Sequence, residues 1–194
     1  MTSVQVCRCD GYKPRTTFGA FSFHIYRSVY NASMATYQVH SLEQLASLAQ
    51  AFVTTVAALP SATHATVVTL SGDLGAGKTS FTQALAAALG VSEQVTSPTF
   101  VIEKIYHIIS APFTGLIHID AYRLGSFQEL VSLGWAELIA TPHRLVVIEW
   151  PERVVECIPD TAIAVSCRGL NHTTHEYTFP FELVQYTPHA NESY

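Results

Sequence analysis

Residues 72–79 read Gly-Asp-Leu-Gly-Ala-Gly-Lys-Thr, and no other stretch of the chain limits the possible folds as sharply. They fit G-x-x-x-x-G-K-[ST], the phosphate-binding P-loop pattern. A triphosphate packs several negative charges into a small volume. Glycines let the backbone curl into a nest whose N–H groups converge on phosphate oxygens. The helix that follows adds the positive end of its dipole. In this pattern Lys78 reaches the β- and γ-phosphates, and the Thr79 hydroxyl is a Mg²⁺ ligand.

The flanks agree with the pattern. Residues 66–70, Thr-Val-Val-Thr-Leu, are a short β-branched apolar run that predicts a buried strand. Residues 79–89 predict a helix with Phe81, Leu85, Ala88 and Leu89 on one face and Gly90 as its stop. A strand, a P-loop and a helix in that order predict an α/β, P-loop NTPase-like three-layer sandwich with a mostly parallel central sheet. The P-loop is expected on its first core strand.

The 194 residues suffice for one such domain, and 48% hydrophobic against 13% charged residues is a globular balance. No apolar run is long enough to span a membrane. A net charge of −5 argues against an independent grip on nucleic acid. Charge is unevenly spread. In residues 1–33, Arg8, Lys13, Arg15 and Arg27 face Asp10 alone, so this end carries +3 and the remainder −8. The first 33 residues show no helical or strand period. They are expected to be a disordered extension or a mis-called start ahead of Met34. The nucleotide-binding domain is then 34–185, followed by a frayed tail over 186–194. Cys7, Cys9, Cys157 and Cys167 make no paired metal motif and read as reduced thiols.

Residues 37–39 predict an edge strand. Ser41 with Gln44 three residues on forms a capping box, and Leu42, Leu45, Ala49, Phe52, Val53 and Val56 make a helical stripe ending near Pro60. Ser97-Pro98-Thr99 predicts an extended loop within 95–100, with a strand over 101–109. The apolar run 116–119 ends in Asp120, and the run 145–148 ends in Glu149. Between them, 128–139 has a helical pattern broken at Gly134. Residues 161–167 and 173–179 predict a C-terminal antiparallel hairpin turning at Gly169-Leu170-Asn171.

In an open α/β sheet, ligands sit beyond the carboxyl ends of the strands. The P-loop, Asp120 and Glu149 occupy three such ends. An acid there can hold Mg²⁺ or orient the attacking water, and sequence leaves open which acid does which. Thr99 is a switch candidate able to sense the γ-phosphate. The chain has no Asn-Lys-x-Asp stretch of the guanine-specific kind, so the base is read as adenine. His118, inside an apolar run, reads as a core histidine or as one supporting a neighbour rather than as a catalytic group. Arg123 suits a phosphate, a partner or a plain salt bridge. Trp150 suits a nucleotide, a partner or the core.

Four stretches occur in a set order: 72–79, Ser97-Pro98-Thr99-Phe100, His118-Ile119-Asp120-Ala121-Tyr122-Arg123-Leu124 and Ile148-Glu149-Trp150-Pro151-Glu152-Arg153. Together they resemble the TsaE (formerly YjeE) family, the P-loop ATPases of bacterial tRNA threonylcarbamoyladenosine biosynthesis. The resemblance covers about residues 36–168. It implies a cytoplasmic Mg²⁺-dependent ATPase, with ATP and Mg²⁺ at the site, that is slow alone. It also implies TsaD and TsaB as partners, and tRNA only through that complex. The partners transfer a threonylcarbamoyl group to the adenosine beside the anticodon of tRNAs reading codons that begin with A, and ATP hydrolysis resets them between turnovers. Carried over by position, Gly72, Leu74, Gly75, Ala76, Gly77, Lys78 and Thr79 hold the phosphates, and Thr79 and Glu149 ligate Mg²⁺. Asp120 is an acid needed for activity, and Thr99 is the switch threonine. Ser41 and Glu43 lie in the N-terminal region that approaches the nucleotide.

Two other readings compete. A P-loop kinase for a small molecule needs an arginine-bearing lid, and after residue 33 only Arg123, Arg144, Arg153 and Arg168 are available. A non-hydrolysing nucleotide-gated module would keep the P-loop but not need both strand-end acids.

Overall fold

The computed structural model describes residues 34–59, 63–98, 101–109 and 112–186. The expectations for 1–33, for Thr99 and for 187–194 therefore lie outside the described residues. Seven strands form one sheet: β1 (Ala35–Val39), β2 (Thr66–Ser71), β3 (Glu103–His107), β4 (Gly115–Asp120), β5 (Arg144–Glu149), β6 (Ile163–Gly169) and β7 (His175–Phe179). Their spatial order is β1-β7-β6-β2-β5-β4-β3. The central strands β6, β2, β5 and β4 run parallel, and both flanks are antiparallel, through β7 and β1 on one side and β3 on the other. The P-loop follows β2, which lies inside the parallel set. The chain leaves β2 for β4 past the place that β5 takes, and β6 comes back on the other side of β2. That reversal of strand order opens a crevice at the carboxyl end of β2.

Strand alternation builds two hydrophobic layers. On one face Val68, Leu70, Leu116, Leu145, Val147, Ile163 and Val165 pack under α1 (Leu42–Ala57) and α2 (Lys78–Ala88). On the other face Val67, Ile117, Ile119, Val146 and Ile148 pack under α3 (Phe127–Ser132), α4 (Trp135–Ala140) and the turns around Val154. The result is the expected three-layer α/β sandwich. Phe52 of α1 and Phe81 of α2 meet edge-on, with ring centroids 5.6 Å apart, above Phe179 of β7. This aromatic knot ties the C-terminal hairpin to the P-loop helix.

Two stretches of the sequence pattern are refined, one helical and one strand. The helical stretch 128–139 breaks at Gly134 as expected, into two short helices with Gly134 at φ 83° between them. The strand predicted over 101–109 spans only Glu103–His107. Pro98 O accepts the N–H groups of Val101 and Ile102, at 2.8 and 2.6 Å, and this folds the start of that stretch into a turn. The sheet is parallel at its centre, as expected, with the C-terminal hairpin antiparallel beside it. Among the described residues no helix is long and apolar enough to cross a membrane.

Candidate nucleotide site

The same alternation that buries the core aims three polar side chains at α2. On β4, Leu116, His118 and Asp120 share the face of α1 and α2; on β5, Val147 and Glu149 do. Register puts Asp120 directly beside Glu149 at the carboxyl ends of β4 and β5, and Leu70 of β2 beside Glu149 on its other side. Asp120 and Glu149 are only 4% and 2% exposed, so two buried acids stand beside a P-loop whose tip, Asp73 to Gly75, is open to solvent.

Glu149 is held at both oxygens. The Thr79 hydroxyl donates to Oε2 at 2.9 Å, and His118 Nε2 lies 2.8 Å from Oε1. Asp120 has different partners. Its Oδ1 accepts the N–H of Tyr122 at 3.0 Å, and its Oδ2 accepts the hydroxyl of Ser97 at 3.1 Å. Ser97 is thereby tethered to one acid and the P-loop helix to the other. Sequence could not separate these two roles.

Lys78 Nζ donates to the carbonyls of Gly72 and Asp73 at 2.7 and 2.8 Å, across the mouth of its own loop. It also lies 3.8 Å above the centroid of the Trp150 ring, a cation–π contact. Burial pushes the ammonium below its ordinary pKa, and the nearby Glu149 carboxylate works against that shift. Trp150 has φ 59°, a left-handed backbone rare for a bulky residue, and its ring packs on Tyr122 at 5.1 Å. Sequence left Trp150 between several roles; here it covers the lysine.

Support for the loop also comes from the far end of the chain. Tyr177 of β7 donates its hydroxyl to Gly77 O at 3.1 Å. Burial pushes that phenol well above its usual pKa, so it stays a donor at any physiological pH. Nothing in the local sequence marks Tyr177, because the bond exists only once β7 is paired with β6. Gly77 O also accepts the N–H of Phe81, at 2.9 Å, so Tyr177→Phe removes the second of two bonds to that carbonyl and is expected to lose about 1 kcal/mol of stability. Equal denaturation midpoints for the two proteins would show the bond to be idle.

The Ser41 cap forms as read, and the return bond from Gln44 goes one residue further back, to His40 and not to Ser41. Ser41 Oγ accepts Gln44 N at 3.2 Å, and Gln44 Oε1 accepts His40 N at 2.7 Å. Val39 pairs with His175, and His175 with Gly169, so Ser41 and Glu43 stand at the P-loop end of the sheet. A hydrogen bond from Ser41 holds the exposed Glu43 carboxyl below its ordinary pKa. Ser97 and Tyr177 are the residues at this corner to which sequence assigned no role.

The donor set at this corner suits a hard cation. Mg²⁺ takes one or two protein oxygens and completes its shell with phosphate and water, and Thr79 with Glu149 is a pair of that kind. The nest of residues 72–79 beside it suits the phosphates.

Comparison with known proteins places this geometry. The family model for "Threonylcarbamoyl adenosine biosynthesis protein TsaE" matches residues 39–177. A Treponema pallidum protein named tRNA threonylcarbamoyladenosine biosynthesis protein TsaE is 40% identical over 112 residues, which are 58% of this chain and 79% of that protein. A Borreliella burgdorferi protein of the same name is 40% identical over 93 residues, 48% of this chain and 65% of its own length. The crystal structure of Bacillus subtilis YdiB superposes with a TM-score of 0.58 at 28% identity, covering 76% of this chain and 84% of that one.

Proposed function

Since this chain belongs to the TsaE family, whose model spans its P-loop and both strand-end acids, we propose that it is a Mg²⁺-dependent ATPase of tRNA threonylcarbamoyladenosine biosynthesis. It works in the cytoplasm beside TsaD- and TsaB-like partners, and it meets tRNA only through them. The observation that carries the reading is the convergence of Lys78, Thr79 and Glu149 on one corner, with Asp120 alongside.

ATP is the substrate. The loop N–H groups of residues 74–79 and Lys78 bind its phosphates, and Lys78 exchanges two backbone carbonyls for phosphate oxygens. Thr79 and Glu149 would hold Mg²⁺, which when bound neutralises phosphate charge. Asp120 orients the attacking water. Its bond to Ser97 gives the acid a hold on the Ser97-Pro98 segment, through which the nucleotide state would be passed to the partner, with Thr99 as the switch threonine. Ser41 and Glu43 approach the nucleotide from the N-terminus of α1. An acidic chain with few basic residues fits a protein that grips a partner rather than RNA.

The test is ATP hydrolysis by the full chain, alone and with a cognate TsaD–TsaB pair and tRNA. Turnover alone is expected to be slow, rising at least about tenfold with the partners and tracking repeated rounds of tRNA modification. ATP binding without any partner effect would leave the nucleotide site standing and remove the pathway. Failure to bind ATP would remove both.

A further inference from the structure

His118 is a titratable group at this corner whose presence the reading above does not require. It is fully buried in β4, between Ile117 and Ile119, which face the opposite layer. Nε2 lies 2.8 Å from Glu149 Oε1. A carboxylate only accepts, so Nε2 carries the proton and donates. The other ring nitrogen, Nδ1, is buried and has no hydrogen-bond partner among the described residues. Leaving a buried polar atom without a partner is costly, because its lost hydration is not replaced. A leucine here would fill the layer without that cost, so packing does not account for the imidazole.

What the imidazole does is fix a carboxylate. The last torsion of a glutamate is broad and nearly two-fold, so a carboxylate held at one oxygen can swivel. Held by His118 at Oε1, Glu149 presents Oε2 to Thr79. Register makes this possible. His118 lies beside Val147, two residues before Glu149, and it leans along the strand to reach the acid.

We propose that His118 is a positioning residue that sets divalent-metal affinity by locking the Glu149 carboxylate towards Thr79. The inference rests on the reading of Thr79 and Glu149 as the metal-binding pair. Partners of this kind, behind a metal ligand, typically change affinity by about 10- to 100-fold.

The experiment uses the full chain loaded with ADP and titrated with Mn²⁺, with bound and free metal separated by electron paramagnetic resonance. ADP affinity in EDTA is measured alongside. His118→Leu is expected to weaken Mn²⁺ binding by about 10- to 100-fold while ADP affinity in EDTA stays within about threefold. His118→Gln, whose amide nitrogen reaches about as far as Nε2, is expected to restore most of the loss. His118→Asn, polar but too short to meet Oε1, is expected to remain weak. The Asn and Gln pair decides the matter if the leucine variant does not fold. Wild-type Mn²⁺ affinity in the leucine variant, or equal affinity in the Asn and Gln variants, would overturn the proposal. Glu149→Gln separates the two layers of the argument. If it loses Mn²⁺ while the His118 variants keep it, the metal pair stands and the role of His118 falls. If it keeps Mn²⁺, the metal pair falls and takes this inference with it.

Discussion

Lys78→Ala is expected to cut ATP turnover by at least about 100-fold, the scale on which removing one preorganised charge-stabilising donor acts. Phosphate release at saturating ATP measures it. Lys78 is 5% exposed and stands over the loop it serves, with Gly72 O at 2.7 Å, Asp73 O at 2.8 Å and the Trp150 face at 3.8 Å. The ammonium is therefore already desolvated and held at the loop before substrate arrives, and it needs only to trade those two carbonyls for phosphate oxygens to act on phosphate charge. Alanine removes that charge, and no other lysine lies near in sequence to replace it. ATP affinity should fall as well. Turnover within threefold of the parent protein would sink the assignment of Lys78 as the phosphate-binding cation.

The second large effect is on folding. A Cβ added at Gly72 would lie 2.1 Å from the carbonyl oxygen of Cys167 and 3.2 Å from the Ala76 side chain, at a backbone φ of +140°. The obstacle is β6 backbone, hydrogen-bonded into the centre of the sheet, and it cannot rotate away. Gly72→Ala is expected to cost about 3 kcal/mol or more, in the range reserved for enforced overlap and strain. Gly75→Ala is the matched control. Gly75 has φ +79°, but nothing lies within 4 Å of an added Cβ. Only the left-handed backbone penalty applies there, about 1–2 kcal/mol. Denaturant midpoints of the two variants measure the difference. Equal losses would mean that the loop, and not the β2–β6 approach, sets the limit at Gly72.

Sequence by itself determined the chemistry available. The P-loop at 72–79, the acids at the ends of two apolar runs, the Ser41 capping box and the hairpin turn near Asn171 are local patterns. Their causes are also local: backbone freedom at glycine, side-chain period along a strand, and a side chain bonding to its own backbone. These suffice to state the fold class and to nominate Lys78, Thr79, Asp120 and Glu149.

Tertiary structure decided which of these groups meet. Periodicity tells which face a residue shares with its neighbours, but it carries no information on strand order. Asp120 and Glu149 look alike as strand-end acids. They separate only because β5 lies next to β2, which brings Glu149 to Thr79, while β4 lies one strand further out and faces Ser97. The link from His118 to Glu149 requires β4 and β5 to be neighbours in one particular register, and the link from Tyr177 to Gly77 spans 100 residues. The flanks of the sheet became antiparallel for the same kind of reason. A hairpin joins β6 to β7 too tightly for a crossover, and the short connection from β3 to β4 does likewise. Each of these choices is made by long-range pairing, which no window of sequence contains.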